Sequence, residues 1–205
     1  MDNTAKKRVF HRIEARGKGW VFSAVDFLPG LKHWEIRQSF VALENEGTII
    51  RILAGLYYYP EYSTLLKKNV APDMQQVAQA LARKYDWKIF PEGNTALNHL
   101  RLSTQVPASY VYISSGSPRK YKIGNTTLEF RYRTPKESTI ANGNANLVVQ
   151  AIKSMGKTYA NDGDFIKALS TRFSYNEWVK IEKAAKKVAY WILDIIIRAK
   201  EIANG

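Results

Sequence analysis

Cysteine is absent from the sequence, which excludes a disulfide scaffold, thiol catalysis and any zinc site built on thiolates. Histidine is scarce: His11, His33 and His99 stand alone at no metal-ligand spacing, so neither a metal site nor a cofactor is expected. Acidic residues are few, 18 against 31 Lys and Arg, and the formal charge of +13 favours a polyanionic partner. No apolar run is long enough to span a bilayer. The densest, Val188 to Ile197, carries Asp194, and the opening Met-Asp-Asn-Thr-Ala-Lys-Lys-Arg has no apolar stretch behind its charges. The expectation is a cytoplasmic protein without membrane contact. Core material is plentiful, since 45% of the 205 residues are hydrophobic; this suits one large domain or two small ones and excludes a wholly disordered chain.

The basic excess is even along the chain: residues 1–70 carry eleven basic and seven acidic side chains, 71–140 ten and five, 141–205 ten and six. No polybasic tail accounts for it. Two polar breaks punctuate the chain, one from Pro60 through Lys67-Lys68-Asn69 to Pro72, the other at Thr134-Pro-Lys-Glu-Ser138 followed by Asn142-Gly-Asn144. They predict three parts, residues 1–68, 69–138 and 139–205.

In the first part, residues 4–16 read as a helix with Phe10 and Ile13 on one face, ended by Gly17 and Gly19. Ser23-x-x-Asp26 is a capping-box pattern for a short second helix, closed by Pro29-Gly30. A third helix spans about His33 to Glu46, with Ile36, Phe40 and Leu43 on its apolar side and Gly47 as left-handed cap. Thr48–Leu53 and Leu56–Tyr59 flank Ala54-Gly55 as a β-hairpin. Helix, helix, helix and hairpin is the order of a winged helix-turn-helix, in which the later helix enters the major groove and the hairpin touches the flanking backbone. Arg37 and Gln38 are the side-chain types that pair bidentately with guanine and adenine edges; Lys32, His33 and Ser39 lie near the helix start, within reach of phosphates or bases. Arg51 alternates with Ile50 and Ile52 and points off the core side of the wing. Any solvated helix carries such residues; the element order and the net charge make double-stranded operator DNA the expected partner.

The second part alternates a helix over Asp73–Tyr85, a strand over Trp87–Phe90, a helix over Thr95–Leu102, and strands at Tyr110–Ile113, Lys120–Ile123 and Thr127–Arg133, the last two joined at Gly124-Asn125. Between them, Pro91 to Pro107 is rich in small polar residues, either as plain connection or as a partner surface. The third part is helical. Its last helix, about Asn176 to Ile202, places Trp178, Ile181, Ala185, Val188, Ile192, Ile195, Ala199 and Ile202 in one seam. The fold class expected is therefore α+β: an N-terminal winged helix-turn-helix, a small mixed middle domain and a helical C-terminus.

Catalytic signals are thin, and no enzyme is expected. Asp164, in Asp162-Gly-Asp164, reads as a helix N-cap. Glu129-Phe-Arg131 has the carboxylate-x-basic form of some nucleases but no partner carboxylates in a matching setting, and metal-dependent nuclease chemistry needs several. Tyr57-Tyr58-Tyr59 offers stacking platforms for an RNA-binding module, against which stands simple packing beside Pro60.

Ile49-Ile-Arg51, Gly55-Leu-Tyr-Tyr-Tyr-Pro60, Ala80-Leu-Ala-Arg83, Gly93 with Asn98, Leu102-Ser-Thr-Gln-Val-Pro107, Tyr112-Ile-Ser114 and Lys122-Ile-Gly124 together resemble the AbiEi-like antitoxins of type IV toxin-antitoxin systems, over roughly residues 5–135. The resemblance implies an N-terminal winged helix-turn-helix that represses its own operon and a following domain that antagonises a nucleotidyltransferase-like toxin. It places DNA binding on residues 33–46 and 48–59. The sequence departs from the pattern at Arg101, where a small residue is expected, and at Pro29-Gly30, which tightens the turn. No Ser or Thr caps the helix from His33.

Overall fold

The computed structural model describes residues 3–103, 105, 107–132 and 142–205. Arg133, the predicted break at 134–138, and Thr104 and Val106 of the 102–107 motif fall outside these. The fold is mixed α+β, and the chain divides into two compact units, Met1–Trp87 and Lys88–Gly205. No helix among the described residues is long and apolar enough to cross a membrane.

The first unit runs α1 (Asn3–Arg16), β1 (Val21–Phe22), a single 3-10 turn (Ala24–Phe27), α2 (His33–Asn45), β2 (Ile50–Leu53), β3 (Leu56–Tyr58), β4 (Tyr62–Ser63), β5 (Lys68–Asn69) and α3 (Met74–Tyr85). The second predicted helix is thus one 3-10 turn, preceded by a short strand that sequence patterning did not anticipate. β1, β3 and β2 form an antiparallel sheet in that order, and β2 and β3 meet at Leu53↔Leu56 around the Ala54-Gly55 turn, where Gly55 takes φ +68°. α1 buries Ala5, Val9 and Ile13, spaced four apart, whereas Phe10 is half-buried at the edge of that stripe. α2 buries Ile36, Ser39, Phe40 and Leu43. Behind it Phe40 sits among Phe22, Phe27 and Tyr57, with ring centroids 5.5, 5.3 and 4.9 Å away. Aromatic rings at these separations add edge and offset attraction to the area they bury.

α3 belongs to this unit although the break before Pro72 set it in the second predicted part. Its N-cap Asp73 accepts from Gln75 N–H at 3.0 Å. Met74, Val77, Ala78 and Leu81 form its buried face. Arg83 pairs with Asp26 at 2.7 Å and donates to the Val21 carbonyl at 3.0 Å, while Lys84 donates to the Ala54 carbonyl at 2.6 Å. Packing and these three tethers bind the helix to the sheet, across a break legible only as composition.

The second unit comprises β6 (Ile89–Pro91), α4 (Asn94–His99), β7 (Ser109–Ser114), β8 (Arg119–Ile123), β9 (Thr126–Tyr132), α5 (Gly143–Ala160), α6 (Gly163–Ser170), α7 (Tyr175–Ala184) and α8 (Tyr190–Ile202). Its sheet order is β6-β7-β9-β8, with β7 and β9 parallel and the other pairs antiparallel. The predicted second and third parts share one core here: Ala96, Leu97 and Leu100 pack in the same apolar cluster as Val148, Ile152, Leu169, Trp178 and Ile192. α5 is kinked at Gly156, whose φ of +75° is open to glycine at no steric cost.

The continuous helix predicted over 176–202 is two helices. Lys200 of α8 pairs with Glu182 of α7 at 2.7 Å, yet in one straight helix residues eighteen apart would stand about 27 Å from each other. The chain turns at 185–189 so that both halves of the seam reach the core of α5 and α6, which a straight rod cannot do. Trp178, Ile181, Ala185, Ile192, Ile195 and Ala199 are buried there, whereas Ile202 at the far end is exposed.

Two substitutions check these cores. Phe40→Ala should destabilise the first unit by about 3–5 kcal/mol, seen by denaturant unfolding, because the cavity lies between three other rings. Ile192→Asp should lower stability by more than about 3 kcal/mol through an unpaired buried carboxylate. That loss should be independent of protein concentration; unchanged melting with loss of self-association alone would assign Ile192 to an intermolecular seam.

Candidate nucleic-acid interface

The orientation of α2 is fixed at both ends as well as from behind. In the turn before it, Arg8 of α1 donates to the Gly30 carbonyl at 2.8 Å, and Arg12 donates to Phe27 and Pro29 carbonyls at 3.2 and 3.1 Å. Lys32 takes the N-cap position. In place of a Ser or Thr cap, the Glu35 carboxylate reaches back to accept from Lys32 N–H at 2.7 Å, one half of a capping box. At the other end Gly47 adopts φ +69°, and Thr48 N–H closes onto the Leu43 carbonyl at 2.9 Å.

With Ile36, Phe40 and Leu43 inward, the opposite face presents His33, Trp34, Arg37, Gln38, Val41 and Asn45 to solvent, with Lys32 exposed at its start. Arg51 on β2 is also exposed, its Nε donating weakly to the Leu53 carbonyl at 3.4 Å. Five of the six residues singled out in the sequence are therefore accessible. Ser39 is not: it is only 4% exposed, and its hydroxyl donates to the Glu35 carbonyl one turn back at 2.7 Å. At helical spacing it falls three residues after Ile36 and four before Leu43, on the buried stripe, so its hydroxyl bonds its own helix and not a ligand.

Sequence reasoning missed Trp34 and Val41, each 55% exposed in the middle of this face. Their seven-residue spacing puts them on one side of the helix, a signal available once the buried stripe is assigned. It also missed Lys84, contributed by α3.

Two grooves border α2. A cavity of about 510 Å³ runs between α2 and the β2–β3 hairpin, lined by His33, Arg37, Phe40, Val41 and Glu44 on the helix, Arg51, Gly55 and Tyr57 on the hairpin, and Ser23, Ala24, Val25 and Lys84. Arg37 and Arg51 both line it. Burial pushes the Tyr57 hydroxyl above the usual tyrosine range and Glu44 pushes it further, while Arg51 and Arg37 pull the other way. A second groove of about 470 Å³ runs along Arg37, Gln38, Val41, Ala42, Asn45 and Glu46. Arg37 and Gln38 thus share one groove, Arg37 and Arg51 the other.

Several cations of this unit are engaged internally. Arg8 and Arg12 hold the turn before α2, Arg83 holds Asp26, and Lys6 pairs with Glu46. Lys18 stacks its ammonium 3.5 Å from the centre of the Tyr59 ring. Tyr57 and Tyr58 are buried and Tyr59 packs edge-on against Phe10, so the triple tyrosine is occupied by packing and not presented as a stacking platform.

The acidic motifs are likewise accounted for. Glu129 accepts from Arg131 at 2.9 Å and lies 3.5 Å from Lys120, while Arg131 also reaches Glu92 at 3.3 Å. The hydrogen bond from Arg131 holds the Glu129 carboxyl below the usual range. The cap of α6 is Asp162, accepting from Asp164 and Phe165 N–H at 2.9 and 3.1 Å, and not Asp164, which stands in the first turn. Gly163 inside the helix shifts the start by two residues from the first apolar position. Among the described residues no three His, Asp or Glu side chains gather as metal ligands.

Among solved structures, the RV2827C protein from Mycobacterium tuberculosis is similar to this chain, with 13% identity and a TM-score of 0.42 over 98% of this chain and 81% of that one. No curated protein sequence matches. The model of a family of unknown function, DUF6088, matches residues 8–172. The chain belongs to that family.

Proposed function

We propose that this protein is a DNA-binding transcriptional regulator whose first unit is a winged helix-turn-helix. In this reading α2 is the recognition helix and the β2–β3 hairpin the wing. The observation that carries it is the joint exposure of Lys32, His33, Arg37 and Gln38 on one face of α2, beside a hairpin that presents Arg51. A helix so displayed fits the major groove, where Arg and Gln can pair with base edges and Trp34 and Val41 can contact thymine methyl groups. Lys32 and Arg51 are placed for phosphates, which fix register without reading sequence. The net charge of +13 supports the same partner.

The likeness of residues 49–60, 80–83 and 102–124 to AbiEi-like antitoxins extends the proposal. The protein would repress its own operon in the cytoplasm and, through its second unit, antagonise a nucleotidyltransferase-like toxin.

Two measurements check the DNA-binding part. Affinity for duplex DNA, followed by fluorescence anisotropy, should fall about 10³-fold or more between about 50 and 200 mM salt if six or more phosphates are contacted; a flat response contradicts it. Arg37→Ala should cost about 1–3 kcal/mol on the preferred sequence and relax preference there, whereas Arg51→Ala should weaken all sequences alike. Ser39→Ala should leave preference unchanged. Equal behaviour of Arg37→Ala and wild type, with folding intact, removes α2 as the reading element.

A further inference from the structure

The cavity between α2 and the hairpin holds more than a groove for a nucleic-acid strand requires. Arg37 from α2, Arg51 from β2 and Lys84 from α3 line it, three cations from three separate elements against one carboxylate, Glu44. Arg37 makes no hydrogen bond or ion pair among the described residues, and Lys84 uses one of its three N–H donors on the Ala54 carbonyl. The remaining wall is apolar, formed by Phe40, Val41, Val25 and Ala24. Ser23, 1% exposed, also lines it and caps the 3-10 turn, its N–H donating to the Asp26 carboxylate at 2.9 Å.

Resting on the DNA-binding reading, we propose that this cavity is an effector site for a small phosphate monoester, whose occupancy withdraws Arg37 and Arg51 from DNA. The charge balance of two positive in excess matches a phosphate dianion. A tetrahedral phosphoryl group offers three oxygens to cations arriving from three directions, which a planar carboxylate does not. The apolar wall accommodates an organic body, and Glu44 accepts from its hydroxyl groups. About 510 Å³ exceeds what inorganic phosphate alone would fill and lies within the range of small-molecule sites. Because the same two arginines serve both ligands, phosphate ester and DNA compete, each lowering the other's apparent affinity in proportion to its own concentration over its own Kd.

The test is calorimetric titration of the full chain with AMP, with adenosine and inorganic phosphate as controls at matched ionic strength. AMP should bind with a Kd below about 1 mM, and adenosine should not bind. Lys84→Gln should weaken AMP about tenfold or more, the range of a charged hydrogen bond. Arg37→Gln should weaken AMP while leaving the melting temperature unchanged, since that side chain bonds nothing else among the described residues, which keeps the result separate from misfolding. Saturating AMP should release bound duplex DNA, and adenosine should not. Absence of AMP binding, or AMP affinity untouched by both substitutions, overturns the site. If AMP binds with the predicted variant pattern and no duplex is bound at any salt, the site stands and the DNA-binding reading falls; salt-sensitive duplex binding without AMP binding overturns the site and leaves the DNA-binding reading in place.

Discussion

Phe40 is the contact on which the rest of the first unit depends. Its ring fills the space between Phe22 on β1, Phe27 in the 3-10 turn and Tyr57 on β3, joining three elements to α2. A helix can rotate about its axis with little change in its own hydrogen bonds, so side-chain packing must set which face is buried. One large ring locked among three others sets it here. Arg37, one turn before the ring's own position, is thereby turned out toward the hairpin, and Arg51 faces the same cavity from the opposite wall.

Net charge alone would not locate such a surface. The +13 is distributed along the whole chain, and in the first unit several cations have structural partners: Arg8 and Arg12 donate to backbone carbonyls and Arg83 pairs with Asp26. A planar guanidinium that spans two carbonyls, as Arg12 does, orders the turn before α2 and is not available for phosphates. In the second unit Arg131 is held between Glu129 and Glu92. Many cations elsewhere have no such partner, so it is placement and not number that distinguishes Arg37, which stands on the exposed face of α2 and lines the groove beside the hairpin.

Much of this was legible in the sequence because it rests on local rules. The stripe of Ile36, Phe40 and Leu43, the Gly47 cap, the Ala54-Gly55 hairpin and the Gly124-Asn125 turn each follow from helical periodicity or from the φ values open to glycine. What escaped depends on contacts distant in sequence. β1 is two residues long and exists by pairing Val21 and Phe22 with β3. α3 joined the first unit through Arg83 and Lys84, whose partners lie 57 and 30 residues away. The seam from Trp178 to Ile202 has unbroken helical spacing, and only the shared core of α5 and α6 reveals that it must fold back. Ser39 shows a subtler limit: a hydroxyl among basic residues looks functional by type, yet its position on the wheel buries it.

We propose the exposed face of α2 and the adjoining hairpin as a surface for duplex DNA. Amide chemical-shift mapping of the full chain, titrated with a duplex from the upstream region of its own gene, tests that surface residue by residue. Perturbations concentrated at residues 32–38 and 51–57, with those of β7 to β9 unmoved, are the predicted result. Perturbations confined to residues 88–205, or none at low salt, would mean that α2 and the hairpin do not bind duplex DNA.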